Sequence, residues 1–174
     1  MELYPNDIIV TCDDDIYYRC TMLERLILEY YKDPTHVYSH RAHMVGLTSN
    51  GKLRPYNDWE EEISGISGAL VFPTGGSGCL YKKSLLYKDV CNEDLFMKLA
   101  PKADDVWFYF MEILQQTTCV VLANEGYIYI PLDVFYQHFH KGSSLYSSNC
   151  LESQNDIQIE AVMKYYGIDM KELI

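Results

Sequence analysis

Three consecutive aspartates, Asp13, Asp14 and Asp15, directly follow an apolar stretch in the segment DIIVTCDDDIYY. Residues 7–12 are rich in β-branched side chains and are bounded by turn-forming residues, which is typical of a buried strand. Because ligands of open α/β sheets bind beyond the carboxyl ends of strands, this position predicts a ligand site. Mg²⁺ or Mn²⁺, which prefer oxygen ligands, would offset the repulsion among the carboxylates. The alternative is a solvated acidic turn that caps the next helix.

A glycine-rich segment, TGGSGCLY at residues 74–81, is the second candidate for a site. Gly75, Gly76 and Gly78 would let the backbone approach a ligand closely. No GK[ST] follows, so the segment is not a phosphate loop of the P-loop kind. A flexible surface loop is the alternative, although the following Cys-Leu-Tyr run predicts a strand and hence an ordered turn.

A pair of carboxylates, Asp104 and Asp105, lies in the segment PKADDVWF at the start of a predicted helix. One aspartate would serve as an N-cap, which contributes about 1 kcal/mol. The second carboxylate could be a general base in a cleft. The residues alone leave both interpretations open.

Two late histidines, His138 and His140, would share one face of an extended segment and could reach a metal site. An ordinary surface or core histidine is the alternative. The earlier histidines, His36, His40 and His43, fall on predicted strands and a turn rather than on one helix face, so zinc is not predicted there.

The elements that must position these groups alternate between strands and helices, which favours an α/β fold. We predict a helix over residues 18–32, ended by Asp33-Pro34, and helices that begin at the N-caps Asn92 and Asp104. A last helix over 153–166 should end at Gly167. Further strands are predicted at residues 36–40, 43–47, 69–72, 118–122 and 127–130, with a polar loop at 141–149.

The composition excludes some classes of partner. The net charge is −11 over 174 residues, which argues against a nucleic-acid backbone as partner and suits anionic substrates held through a metal. The six cysteines form no CxxC pair and are expected to be reduced, as in a cytosolic protein. We identify neither a signal peptide nor an apolar run of the ~18 residues that a membrane span needs.

Several segments together resemble a known family, the GT-A-type glycosyltransferases of the bacterial glycosyl- and galactosyltransferase kind. The resemblance rests on PNDIIVTCDDDIYY, HRAHMVG, PYNDW, FPTGGSGCLY, PKADDVWF and the late LYSSN and NDIQ, and it extends over residues 5–166. It implies a partial GT-A fold, Rossmann-like, with a mixed sheet flanked by helices. Residues 1–174 would form one domain, with a DxD strand at 7–15, an acceptor-side region at 36–150 and a C-terminal helix at 153–166.

The resemblance also implies roles on the donor side. The aspartate triplet looks like the family's DxD motif, in which Asp13, Asp14 and Asp15 face a nucleotide-diphosphate sugar, most often a UDP-sugar. Asp15 and Asp13 would bind Mn²⁺ or Mg²⁺, and His138 or His140 would be an additional metal ligand. The metal would stabilise the departing nucleoside diphosphate.

On the acceptor side, the resemblance implies a glycan or another hydroxyl-bearing acceptor. Gly75, Gly76 and Gly78 would border the donor sugar and the acceptor, and Asp104 or Asp105 would take the proton of the acceptor hydroxyl. The aromatic residues Tyr56, Trp59 and Trp107 would stack on sugar rings. The family connection suggests a hexosyltransferase of bacterial polysaccharide biosynthesis, in the cytoplasm or at the inner face of the membrane.

One departure from the family pattern concerns the start of the chain. Only twelve residues precede Asp13, whereas base-binding βαβ units of roughly 30 residues each should come first. The chain is therefore expected to be the later part of a GT-A domain and to transfer sugar poorly alone. A strand that has lost its neighbour exposes an edge, so self-association is expected.

Two other functions fit the aspartates. Haloacid-dehalogenase-like phosphatases also place an apolar strand before DxDx[TV] near the N-terminus, but here Tyr17 stands at the Thr/Val position. The third hypothesis is a non-catalytic remnant that binds a metal or a sugar. It predicts binding of metal or nucleotide without sugar transfer and without hydrolysis.

Overall fold

The protein is described from a computed structural model, which covers residues 1–123, the backbone of 129–131, and residues 154–173. The expected polar loop at 141–149 and both late histidines lie outside the described residues. The strands are β1 (Ile8–Thr11), β2 (Ile16–Tyr18), β3 (Val37–Ser39), β4 (Ala42–Met44), β5 (Glu60–Ile63), β6 (Ser67–Gly68), β7 (Val71–Pro73), β8 (Cys79–Lys82), β9 (Cys119–Val121) and β10 (Tyr129–Pro131). The α-helices are α1 (Met22–Lys32), α2 (Glu93–Leu99), α3 (Asp104–Gln115) and α4 (Gln154–Tyr166).

A mixed five-stranded sheet in the order β1-β8-β3-β9-β6 is the centre of the fold. The pair β3–β9 is parallel, and the pairs β1–β8, β3–β8 and β6–β9 are antiparallel. A three-stranded antiparallel sheet, β5-β4-β7, and the pair β10–β2 complete the strand pairing. Strands and helices in this mixture confirm the expected α/β class.

The two faces of the five-stranded sheet are covered by different helices. Leu80 packs with Leu26 and Tyr30 of α1, whereas its neighbours Cys79 and Tyr81 belong to the cluster that contains α3 and α4. Successive side chains of a strand point to opposite faces, so this alternation places α1 on one face and α3 with α4 on the other. Leu26 is fully buried, which stabilises the fold by about 1.5–3 kcal/mol.

Strand β1 is an end strand of the sheet in the part of the chain that the structure describes. It pairs with β8 in the register Ile8↔Lys82 to Thr11↔Cys79, and all four of its residues are only half-buried. Its other edge has no paired strand among the described residues, which is the condition that the expected self-association requires.

The helix boundaries differ in part from the sequence expectations. The expected start of α1 at residue 18 is wrong because Tyr18 belongs to β2, which pairs with β10, and the helix begins at Met22. Asn92 is confirmed as an N-cap, since its Oδ1 accepts a hydrogen bond from Leu95 N–H at 3.2 Å. Asp104 is not an N-cap: it is the first helical residue of α3, after Ala103.

Strand β5 was not expected from the sequence. Its first three residues are glutamates, and only Ile63 at its end is buried, so no apolar alternation marked it. It forms because its backbone pairs with β4, a contact between segments that local patterns do not encode. None of the helices in the described ranges has the length and apolar character that crossing a bilayer demands.

Candidate functional site

The aspartate triplet lies in the short turn between β1 and β2, at the carboxyl end of β1. All three residues are exposed overall. One side of the Asp13 carboxyl is covered, however, because it faces the glycine-rich turn. Burial raises the pKa of Asp13 above its usual range, and the charges of Asp15, Asp104 and Asp14 raise it further. A cation at this position would relieve that repulsion.

Tyr18 joins the aspartate turn to the glycine-rich turn. Its hydroxyl accepts a hydrogen bond from the backbone N–H of Asp13 at 2.7 Å and donates one to the carbonyl oxygen of Gly76 at 2.9 Å. Burial raises the pKa of the phenol to about 12, so it keeps its proton and can donate at neutral pH. Tyr18 belongs to no motif and was expected only as the first residue of a helix, so its role in the site is apparent only in the structure.

The glycine-rich turn is ordered, as residues Gly75–Ser77 form one 3₁₀ turn before β8. A Cβ atom added at Gly76 would lie 2.9 Å from Oδ2 of Asp13, so any larger residue would make the Asp13 carboxyl shift. Gly78 has φ +95, and a Cβ there would meet Sδ of Met22 at 2.9 Å. The two glycines let the turn fit against both the aspartates and α1.

Asp104, the first residue of α3, reaches the same place from another segment. Oδ2 of Asp104 would lie 4.0 Å from a Cβ atom at Gly75, and the Asp104 side chain is exposed. The first turn of a helix favours negative charge through its free N–H groups and dipole. Asp13, the glycine-rich turn and Asp104 thus converge from three separate segments.

Asp105 points into the protein rather than into solvent. Although the residue retains some exposed surface, protein atoms surround its carboxyl, whose Oδ1 accepts a hydrogen bond from the N–H of Val106 at 2.8 Å. This burial, followed by the charge of Asp104, raises the pKa of Asp105 to about 7. The two neighbouring aspartates therefore occupy different environments, which the residue pattern DD could not reveal.

A third carboxyl on α3, Glu112, was missed by the sequence analysis. Its side chain is 1% exposed, and its Oε1 has no hydrogen-bond partner among the described residues. Burial raises its pKa well above the usual range, which favours the protonated, neutral form. A glutamate in the otherwise apolar run VWFYFMEIL was the available signal.

Two aromatic residues expected to stack on sugars are core residues. Trp59 and Trp107 are 5% and 2% exposed, and their indole N–H groups donate to the carbonyls of Arg54 and Val90. Neither offers an open ring face, because each completes a packed aromatic cluster. Tyr56 is half-buried, with its ring centroid 4.9 Å from that of Trp59. The burial of the two tryptophans therefore does not support the expectation that they stack on sugar rings.

The histidines give no metal centre in the described residues. His138 and His140 lie outside them. Burial lowers the pKa of His43 to about 4 and that of His40 below its usual range. More generally, no three side chains of His, Cys, Asp or Glu in the described ranges are arranged to hold an ion on their own. The described cysteines, Cys12, Cys20, Cys79, Cys91 and Cys119, are free.

No protein-family model matches this chain, and searches of curated proteins and of solved structures return no significant match. The chemistry available to the site therefore follows from its own residues. Carboxylates from two segments flank a glycine-rich turn, so the described site offers oxygen ligands. That donor set suits Mg²⁺ or Mn²⁺ completed by oxygens of a ligand.

Proposed function

We propose that the chain carries the metal- and acceptor-binding residues of a GT-A-type glycosyltransferase that uses a nucleotide-diphosphate sugar. The observation that carries this proposal is the convergence of Asp13, Gly76 and Asp104. The 2.9 Å approach between a Cβ at Gly76 and Oδ2 of Asp13 shows how closely the two turns fit. The resemblance of the same segments to the DxD, glycine-rich and ADDVW motifs supports the choice of reaction.

The carboxylates of Asp13 and Asp15 fit a divalent cation by their chemistry. Magnesium commonly takes one or two protein carboxylates and completes its shell with substrate phosphates and water. No three ligating side chains in the described residues form a cage, so a cation here would need further ligands from the substrate and water. A cation held there would supply the positive charge that stabilises the departing diphosphate.

Side chains of the protein would take part in the transfer of the sugar itself. In a direct displacement, the acceptor oxygen bonds to the anomeric carbon of the donor sugar, and the bond from that carbon to the diphosphate breaks. The electron pair of that bond leaves with the nucleoside diphosphate, and Asp104 takes the acceptor proton. We assign this proton to Asp104 because its carboxyl is exposed beside the glycine-rich turn, whereas that of Asp105 is enclosed.

Calorimetric titration of UDP tests the donor site most directly. We expect binding in the presence of Mn²⁺ that is lost with EDTA and in Asp15→Ala. Asp7→Ala, which removes an exposed aspartate just before β1, is the matched control and should bind as the wild type does. UDP binding that is equally strong with Mn²⁺ and with EDTA would contradict the proposal. UDP binding that persists in Asp15→Ala would also contradict it.

The same samples separate the other functions that fit the aspartates. Hydrolysis of a generic phosphoester that disappears in Asp13→Asn would indicate a haloacid-dehalogenase-like phosphatase instead. Metal-dependent UDP binding without hydrolysis of a UDP-sugar and without transfer to any acceptor would indicate a non-catalytic remnant.

A further inference from the structure

The guanidinium group of Arg41 is only loosely paired. Arg41 lies just past the carboxyl end of β3, in the segment HRAHMVG, to which the proposed function gives no role. Its side chain is 28% exposed, and its Nε is enclosed without a hydrogen-bond partner among the described residues. Oε1 of Glu62 lies 3.6 Å from this Nε, which makes an ion pair but not a hydrogen bond. A desolvated donor without a hydrogen bond is costly, which indicates a partner that is not part of the described chain.

A β-bulge presents Glu62 to this guanidinium. Ala42 pairs with Ile63 and Met44 with Glu60, so two residues of β5 face a single residue of β4. Glu62 lies in this bulge with φ 54°, in the left-handed region that residues other than glycine rarely adopt. Bulges re-aim side chains and are frequent beside functional sites, where such strain is also concentrated. The bulge thus places an exposed carboxylate against Arg41 without a tight contact.

The glycine-rich turn links Arg41 to the site described above. The carbonyl of Arg41 accepts a hydrogen bond from the N–H of Thr74, just before the turn, at 3.1 Å. The next two residues are glycines that approach Asp104 and Asp13. Strands β1 and β3 are both antiparallel to β8, so they run in the same direction and their carboxyl ends lie at one edge of the sheet. Ligands of α/β sheets bind at such an edge.

Arg41 is nevertheless separate from the proposed metal position at Asp13. Strand β8 lies between β1 and β3, which puts the two strand ends about 10 Å apart. A group bound at Arg41 is therefore distinct from a phosphate that a metal holds at Asp13.

The chemistry of the guanidinium selects the class of ligand. Its forked N–H donors match the two oxygens of a carboxylate or of a phosphate group. Glu62 already supplies such a carboxylate, but without a hydrogen bond to Nε and with a side chain that is 67% exposed. Ion pairs of this exposed kind are weak, so an oxyanion that makes two hydrogen bonds can displace Glu62.

We propose that Arg41 binds an oxyanion, a carboxylate or a phosphate group of a ligand, and that Glu62 is a displaceable carboxylate that covers Arg41 until this group binds. The inference goes beyond the proposed function, because binding of the oxyanion requires neither the metal nor a nucleotide.

NMR of the arginine Nε–H groups in the isotope-labelled whole chain tests the proposal residue by residue. Inorganic phosphate and, separately, acetate are titrated near neutral pH, with EDTA present and at constant ionic strength. We expect the Arg41 resonance to move along a saturable curve with at least one of the two anions. The anion that saturates at the lower concentration identifies phosphate or carboxylate as the preferred group. The exposed residues Arg19 and Arg54 are internal controls and should show no saturable shift.

A pair of variants tests the role of Glu62. Glu62→Gln removes the competing carboxylate and should tighten anion binding at Arg41 by about two- to fivefold. Glu61→Gln makes the same change at the neighbouring residue and should bind as the wild type does. Both residues are exposed, so neither change threatens the fold. Equal anion affinity in the two variants would overturn the role of Glu62.

The Arg41 titration also has outcomes that overturn the site itself. An Arg41 resonance that moves in the same unsaturated way as those of Arg19 and Arg54 would indicate adventitious contact with the anion only. Metal-dependent UDP binding, measured on the same protein, separates this inference from the proposed function. A saturable Arg41 shift in protein that does not bind UDP would keep the oxyanion site and overturn the donor site. UDP binding without a saturable Arg41 shift would overturn the oxyanion site alone.

Discussion

The hydroxyl of Tyr18 donates to the carbonyl of Gly76 at 2.9 Å while it accepts from the backbone N–H of Asp13 at 2.7 Å. One phenol therefore holds the aspartate turn against the glycine-rich turn. Without it, the 2.9 Å approach of Oδ2 of Asp13 to the Cβ position of Gly76 would depend on packing alone. The consequences of this arrangement can be measured.

Tyr18→Phe removes the hydroxyl and both hydrogen bonds but keeps the ring. Each such bond contributes roughly 0.5–1.5 kcal/mol, so we expect metal-dependent UDP binding to weaken by about three- to tenfold. Tyr17→Phe is the matched control, since Tyr17 is the adjacent residue of β2 and 62% exposed. Equal UDP affinity in the two variants, measured by calorimetry, would show that the phenol does not position Asp13.

Gly76→Ala introduces a Cβ atom only 2.9 Å from Oδ2 of Asp13, which is closer than real Cβ contacts. The Asp13 carboxyl must then shift from its present position, and we expect metal-dependent UDP binding to fall by about tenfold. Gly75→Ala is the comparison variant, because its Cβ would have only Oδ2 of Asp104 nearby, at 4.0 Å. A titration in which Gly75→Ala loses as much affinity as Gly76→Ala would refute the steric explanation.

Asp104→Asn removes the carboxylate that we propose as the proton acceptor and leaves the shape of the site unchanged. A positioned general base contributes about 10²–10⁴-fold, so the rate of sugar transfer should fall by that factor while UDP affinity is retained. Asp105→Asn should lower the rate much less, because its carboxyl is enclosed by protein. If Asp105→Asn lowers the transfer rate more than Asp104→Asn does, Asp105 rather than Asp104 is the base.

Asp105 also predicts a pH dependence of stability. Burial raises its pKa from 3.8 in model compounds to about 7, so the folded protein binds more protons than the unfolded chain between these values. The contribution of this group to the free energy of unfolding is therefore largest below its pKa in the unfolded chain, and it is lost as the pH rises through about 7. Asp105→Asn should stabilise the protein relative to wild type more at about pH 8 than at about pH 5.

Urea unfolding across this pH range checks the prediction about Asp105. Asp94→Asn is the control, since it removes an exposed aspartate from the first turn of α2 and leaves the buried carboxyl intact. A difference between Asp105→Asn and wild type that does not change with pH would indicate that Asp105 is ionised throughout.

Self-association through β1 remains a prediction. Strand β1 ends the five-stranded sheet in the described part of the chain, and a lysine on an edge strand disfavours pairing with another copy. Ultracentrifugation of the wild type should show a concentration-dependent oligomer that salt strengthens, because the net charge is −11. Ile9→Lys should reduce this association.

A matched variant separates the β1 edge from a general charge effect. Leu28→Lys makes a similar apolar-to-lysine change on α1, where Leu28 is 55% exposed, and should leave the association unchanged. A wild-type protein that stays monomeric at all concentrations and salt levels would refute the edge prediction.

Local patterns in the sequence were sufficient for the α/β class, the strand that precedes the aspartates and the Asn92 cap. Each of these depends on neighbouring residues: β-branched runs favour strands, and an Asn side chain reaches a backbone N–H three residues ahead. The chemical character of the site was also readable, because three aspartates in a row and three glycines in four positions are unusual whatever surrounds them.

The tertiary structure alone decided which of these groups meet. The fold brings Asp13, Gly76 and Asp104 together through sheet pairing and helix packing between distant segments, which no local pattern encodes. It also placed Trp59 and Trp107 in the core, and it enclosed Asp105 while leaving Asp104 exposed. The sequence gives the type of each residue but does not show whether its side chain is buried or exposed. Its exposure, and with it its pKa and its access to a ligand, depends on what the rest of the chain packs against it.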